Sequence, residues 1–582
     1  MKEKIKKQIQ EALKNLNIEE GSFSIEHPED FKNGDYSTNV AMVCAKQLKT
    51  NPKELAEKIV IELKNLISHP AKGEVGGGLE RVEIAGPGFI NFYLSREFFT
   101  ESVEEILKKG NDWGKNNLLS GKKIMVEYTD PNPFKPFHIG HLMTNAIGES
   151  ISRIVEFSGA KTIRANYQGD VGPHVAKAIY GIIKLGMPDE KFSISEKAKY
   201  IGECYSKGSS LYDTDENIKK EIDEINKKVY IKSDDKINEI YDWGRKVTLE
   251  AFEEIYKLLG TKFDYYFFES EMAPIGEKIA KENIGSIFEE SDGAIIFRGE
   301  NYDKKLHTRV FINSQGLPTY EAKEIGLVMT KFEKENPDIS IMTTAIEQAE
   351  YMKVVEMAIS IMYPEIKKRM KHITHGMMRF ASGKMSSRKG NVITGESLLH
   401  DSMDMVLEKM KEREITEEEK KKIGEVVGVS ALKYSILKSS MGSDIIYDPL
   451  KSVSFEGDSG PYLQYTAVRA NSILNKAKDF FDNKKPASSS QGGETPDYIT
   501  DLEKVIYQFP EIVERSYQTL EPHHIATYLT KLASEFNFFY GNTQILDENN
   551  IFVKHHLSLI KAFSQTMKNG LWLLGIEVPE KM

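Results

Sequence analysis

A multidomain fold, α/β at first and all-α afterwards, is what this chain predicts, and three observations predict it. At 582 residues it is too long for one hydrophobic core, so several domains share it. An apolar strand at 122–130, a long amphipathic segment and a second strand at 161–167 make a strand–helix–strand unit, the mark of a parallel sheet. From about residue 400 apolar residues recur at helical spacing, as in Ile506, Phe509, Ile512 and Val513, then Ile525, Leu529, Leu532 and Phe536.

The elements follow in order. Residues 1–116 read as a small α/β domain: a lysine-rich helix, the loop GDYSTN, a helix carrying Ala41, Val43, Leu48 and Leu55, and a hairpin at 81–94 broken by Gly-Pro-Gly. Residues 117–400 read as a central Rossmann-like parallel-sheet domain, its first strand followed by a proline-punctuated turn and a helix bearing Leu142, Ala146, Ile151 and Val155. A charged, mostly helical insertion is expected at about 186–300, with strand signals returning at AIIFRG, TRVFIN and ISIMTTA. Residues 401–582 read as a helical bundle, interrupted by a Pro/Gly/Ser loop at 484–496.

Composition narrows the class. Hydrophobic residues are 40% and charged residues 29%, ordinary for a globular protein, and the net charge of −10 argues against a globally basic nucleic-acid binder. Local basic patches stay open to phosphates. Two cysteines, Cys44 and Cys204, exclude a disulfide framework or a cysteine-rich zinc module. No apolar run approaches a membrane span and the N-terminal helix is charged, so a cytoplasmic, membrane-free protein is expected.

PFHIGH, Pro136 to His141, lies between a strand and a helix N-terminus, where free N–H groups and the helix dipole favour anions. Gly140 lets a base or phosphate approach the backbone, and His138 and His141 can donate to phosphate oxygens. A metal reading needs a further ligand; HITH (372–375) and HH (523–524) carry no Cys or Glu cluster, so no protein-held metal is expected. GKMSSRKGN (383–391) places Lys384, Arg388 and Lys389 beside small hydroxyl residues, a loop able to neutralise pyrophosphate.

That pair of motifs resembles the signature of class I aminoacyl-tRNA synthetases, and more specifically the arginyl-tRNA synthetase family. VEYTDPNPFKPFHIGHL, IRANYQGDVGPHVAK, GLPTYEAKEIGL, GKMSSRKGNVI and GPYLQYTAVRANSILNKA carry the resemblance over almost the whole chain, in family order. The resemblance implies ATP-dependent ligation of L-arginine to tRNA(Arg) through an arginyl-adenylate, with Mg²⁺ accompanying ATP. It implies catalysis by His138, His141 and Lys384, with ATP also met by Gly140, Met385, Ser386 and Ser387. Arginine is expected at Glu127, Asn132, Tyr320, Glu324 and Gln348, although the family usually has Asp where Glu324 stands, and Glu127 could instead pair with a local lysine. The N-terminal domain resembles the family's additional tRNA-binding domain, with Phe89 and Asn91 at tRNA-contacting positions. The C-terminal helices resemble its stem and anticodon-binding bundle, where Tyr462, Tyr465 and Arg469 share a helix face.

Ser387 stands where the usual second lysine of the loop would be, and the family commonly activates its amino acid only with tRNA bound, so tRNA-dependent activation by a monomer is expected. A nucleotidyltransferase of the same sheet type would not need the long helical bundle. A non-catalytic tRNA-binding relative would be free to lose His138, His141 and Lys384. A cysteine-specific sister enzyme would need a zinc site that two lone cysteines cannot supply.

Overall fold

The computed structural model describes residues 1–68, 78–381, 393–482, 494–547 and 550–582. They fall into two compact units. One comprises Met1–Gly114, Thr466–Glu511 and Tyr528–Asn569; the other comprises Lys115–Tyr465, Ile512–Thr527 and Gly570–Met582.

In the first unit the N-terminal helix Lys2–Asn15 buries Ile5, Ile9, Ala12 and Leu13, a stripe at helical spacing. It shares an apolar core with a four-stranded antiparallel sheet in the order Ile25–Glu26, Tyr36–Thr38, Phe89–Leu94, Leu79–Ala85. The Gly-Pro-Gly break is the turn of the hairpin. The module is not free-standing, because Tyr507, from the C-terminal helices, is buried in its apolar core. Tyr36 donates to Glu511 Oε1 at 2.6 Å, and Arg96 Nη1 to Glu503 Oε2 at 3.1 Å. Glu503 has no exposed side-chain surface, and His555 adds a contact at 3.3 Å.

The second unit is built on five parallel strands: β1 (Lys123–Glu127), β2 (Lys161–Gln168), β3 (Tyr265–Phe268), β4 (Ile339–Ala345) and β5 (Met370–His375). Their spatial order is β5–β4–β1–β2–β3, every neighbouring pair parallel. The chain first steps from β1 to one side and later returns to the other, which makes the β1/β4 gap the switch point where such sheets bind ligands. Helix α1 (Ile139–Phe157) links β1 to β2, and helix α2 (Tyr320–Lys334) leads into β4. Apolar residues of three strands and α2 (Met125, Ile163, Ala165, Phe267, Leu327) fill the interior.

The charged segment differs from the expected insertion of about 186–300. Helices Pro173–Leu185, Ile194–Thr214, Glu216–Ile231 and Asp235–Leu259 form a subdomain with its own core of Val175, Ile179, Ile201, Cys204 and Ile222. Tyr265–Phe268, inside FDYYFFES, is instead the edge strand of the parallel sheet. A four-residue edge strand buries too little to leave a periodic trace, so aromatic content is its only local signal. A small antiparallel sheet, Glu289–Ser291, Ala294–Arg298 and Thr308–Ile312, precedes α2. HITH is the end of β5, where His372 Nε2 meets Thr344 Oγ1 at 2.7 Å. Among the described residues no helix is long and apolar enough to cross a membrane.

Candidate active site

The turn after β1 is strained. Thr129, Asp130 and Phe134 all have positive φ, at 81°, 46° and 65°, a region that side chains with a Cβ avoid and a β-branched residue avoids most. Helix α1 holds it in place. Asn145 Nδ2 donates to Thr129 Oγ1 at 3.0 Å, and Tyr167 N–H donates to Asp130 Oδ1 at 2.7 Å. Asn132 sits in this turn, and a Cβ on Gly169 would lie 2.2 Å from its Oδ1. Glycine at 169 therefore makes room for Asn132.

His138 is the N-cap of α1 and His141 its third residue, and the two cap each other. His141 N–H donates to His138 Nδ1 at 3.3 Å, and His138 N–H donates to His141 Nδ1 at 3.3 Å. The rings stack with centroids 3.3 Å apart. With each Nδ1 accepting, the proton of each neutral ring sits on Nε2. Desolvation in the cleft, then the Lys135 ammonium, lowers His138 to about 4, and burial, then the neighbouring His138 and Lys135, lowers His141 well below the ordinary imidazole value. Both rings are neutral donors at pH 7. A Cβ on Gly140 would come within 3.0 Å of the His138 ring, so glycine there keeps the stacked pair in register.

Beside the turn lies a buried charge imbalance. Glu127, at the end of β1, is 1% exposed and forms an ion pair with Lys331 of α2. Glu127 does pair with a lysine, but with one about two hundred residues away in sequence rather than a local one. Burial, and then the Glu127 charge, pushes Glu324 up to about 8 against the pull of Lys331. The same two causes raise Asp130 well above the carboxylate range. Glu324 Oε2 and Tyr167 OH are buried without a hydrogen-bond partner. Three carboxyl groups thus face one ammonium, so the recess is short of positive charge. The neighbouring Glu269 is not short of charge, since Lys323 donates to it at 2.6 Å. Asp170 accepts from Ser270 N at 2.8 Å and from Arg245 Nε at 2.9 Å.

The other expected residues divide. Tyr320, 55% exposed, opens α2 one turn before Glu324, and Gln348 is exposed just beyond the carboxyl end of β4. Lys384, Met385, Ser386 and Ser387 lie outside the described residues. Phe89 is exposed, but Asn91 is buried and accepts the Ser37 hydroxyl at 2.7 Å, so the strand pairing engages it. On helix Gly460–Asp482, Tyr462, Tyr465 and Arg469 are half-buried rather than freely exposed. Tyr465 meets Phe455 edge-on, and Arg469 donates to Asn537 at 2.8 Å and lies over the Tyr540 ring. Asp130, Lys135, Tyr167 and Lys331 escaped the sequence reading. For Lys331 a signal existed: Tyr320, Glu324 and Lys331 share one face of α2, and a lysine on a buried helix face needs an acid.

An open parallel sheet, with an anion-accepting helix N-terminus and an acidic recess at its switch point, is the architecture of a nucleotide-binding catalytic domain. Comparison with known proteins narrows this. The profile described as "tRNA synthetases class I (R), catalytic domain" matches residues 102–448. "DALR anticodon binding domain" matches 463–582, and "Arginyl tRNA synthetase N terminal domain" matches 3–94. The arginine–tRNA ligase of Clostridium perfringens is 31% identical over 99% of this chain and 100% of its own length. That of Borreliella afzelii is 30% identical over 98% of this chain and 96% of its own length. The Thermus thermophilus arginyl-tRNA synthetase structure shares the fold with a TM-score of 0.79 at 22% identity, covering 100% of both chains. The chain belongs to the class I tRNA synthetase (R) family, as its motifs suggested.

Proposed function

We propose that this chain ligates L-arginine to tRNA(Arg) with ATP, through an arginyl-adenylate, releasing pyrophosphate and then AMP. The observation that carries the amino-acid specificity is the shortfall of positive charge among Glu127, Asp130 and Glu324. A buried carboxylate with a free oxygen calls for a donor that brings positive charge, and a guanidinium brings both in a fixed fork. Glu324 takes the guanidinium, with Tyr320 at the mouth. Glu127, Asn132 and Gln348 hold the α-amino and carboxylate end, where Lys331 shares Glu127 with the substrate ammonium.

The chemistry is positioning plus charge stabilisation. The arginine carboxylate attacks the α-phosphorus in line, and the P–O bond to pyrophosphate breaks. The Nε2–H groups of His138 and His141 donate to phosphate oxygens as charge builds, beside the α1 N-terminus and Gly140. Lys384, Met385, Ser386 and Ser387, in the motif that resembles the family's signature loop, are the proposed contacts to ATP and the leaving pyrophosphate. Mg²⁺ enters with ATP as part of the substrate. In the second step the 2′ hydroxyl of the terminal adenosine attacks the adenylate carbonyl and AMP leaves. Phe89 at the N-terminal domain, and Tyr462, Tyr465 and Arg469 near the C-terminal helices, are the proposed tRNA contacts. The domains span 1–116, 117–400 and 401–582, and the chain acts as a cytoplasmic monomer.

Pyrophosphate exchange tests the first step. ATP–pyrophosphate exchange is expected with arginine only when tRNA(Arg) is present; full exchange without tRNA would remove the tRNA dependence, and no exchange under either condition would remove the adenylate.

A further inference from the structure

We propose that Glu521, His523 and His524 form a site for a divalent transition-metal cation of the Zn²⁺ type, separate from the synthetic site. Among the described residues these are the only three metal-ligating side chains whose donor atoms converge, all lying within 4.8 Å of one another. The acid that accompanies the HH pair at 523–524 is Glu521, two residues upstream of His523 across Pro522.

Geometry separates a metal site from a simple ion pair. Glu521 Oε2 lies 3.3 Å from His523 Nδ1 and 3.5 Å from His524 Nε2. Ligands bound tetrahedrally at about 2.0–2.2 Å from a zinc ion stand roughly 3.3–3.6 Å apart, so two edges of the tetrahedron are already in place. Neither nitrogen uses that proximity for a hydrogen bond: His523 Nδ1 and His524 Nε2 are both shielded from solvent and have no hydrogen-bond partner. Donor atoms that converge without bonding to each other leave their lone pairs for a shared ion. The rings stand 4.0 Å apart at 43°, which lets adjacent residues offer different ring nitrogens to one point.

Chemistry then selects the cation. Two imidazoles and one carboxylate suit Zn²⁺ and its neighbours in the transition series, whereas Mg²⁺ and Ca²⁺ prefer oxygen-only shells. Three protein ligands leave the fourth position to water. The ligands straddle the start of helix His523–Asn542, where the dipole disfavours a bare cation. Glu521 supplies the compensating charge, so the bound ion clips the residue before the helix to its first turn. The role is structural.

The test uses the full-length, tag-free protein, stripped with a chelator, dialysed and then incubated with excess Zn²⁺. One equivalent of Zn²⁺ is expected to survive gel filtration, and Co²⁺ in its place is expected to give the visible ligand-field absorption of a tetrahedral site. In Glu521→Gln and His524→Ala the affinity is expected to fall at least tenfold, and the Zn²⁺-induced rise in Tm to disappear. Zn²⁺ below roughly a fifth of an equivalent, or wild-type retention in both variants, would overturn the site. Should the variants fail to fold, the Co²⁺ spectrum of the unaltered protein decides: octahedral absorption alone contradicts the proposal.

Discussion

His141 serves two purposes with one ring. Its Nδ1 accepts the His138 N–H and closes the helix cap, while its Nε2–H stays free for an anion. His141→Ala is therefore expected to cost about 1 kcal/mol of stability through the lost cap. It should cost far more in activation, about a hundredfold to a thousandfold, with tRNA binding nearly intact. Pyrophosphate exchange alongside filter binding reads both, and unchanged exchange would mean that the ring does not meet ATP. Glu324 carries a pH signature. Its folded value near 8 exceeds the 4.5 of an unperturbed glutamate, so its proton stabilises the fold fully below about pH 4.5, and that contribution is lost as pH rises through about 8. A guanidinium acts in the opposite sense, because it favours the ionised form. Arginine affinity should rise from about pH 6 to pH 8 with release of a proton, measurable by calorimetry in two buffers. In Glu324→Gln the slope should flatten and the affinity fall about a hundredfold; a pH slope that persists would place the titrating group elsewhere.

At the scale of the element, α1 both caps the phosphate site and props the strained turn that follows β1. Asn145, fully buried, donates to Thr129 Oγ1 and accepts from Thr261 Oγ1 at 3.1 Å. Asn145→Ala is expected to destabilise by about 1–3 kcal/mol and to raise KM for arginine, since Asn132 shares the relaxed turn. Denaturant unfolding and steady-state kinetics measure the two effects; an unchanged KM would mean that the strain does not position Asn132. This element was legible in the sequence because everything defining it is contiguous: strand, turn, histidines and amphipathic helix lie within forty residues or so. The sheet order was less legible. β4 pairs with β1 from more than two hundred residues away and β3 is four residues long, so neither partner leaves a local mark. The recess was half legible. Glu127 and Glu324 stood out as carboxylates in family positions, but the Lys331 pairing and the Asp130 and Tyr167 contributions come from burial, which periodicity does not report.

For the molecule as a whole, the first unit brings together segments distant in sequence around Glu503. Burial alone would raise this carboxyl, but His555 and Arg96 hold it down at about 2. A depressed carboxyl stabilises above its unfolded value, so this contribution is present above about pH 4.5 and is lost as pH falls towards 2. It amounts to roughly 3 kcal/mol at neutral pH. Glu503→Gln is expected to lower the Tm at pH 7 and to have a clearly smaller effect near pH 3; equal losses at both would argue against the charge. The N-terminal module and these C-terminal helical segments thus belong to one compact unit.

The central claim is that a nucleotide-binding sheet whose buried acidic recess is short of positive charge selects arginine for tRNA. Charging of total tRNA with each radiolabelled amino acid, one at a time, tests it most directly. The account predicts ATP-dependent labelling by arginine alone, whereas labelling by any other amino acid in its place would contradict it.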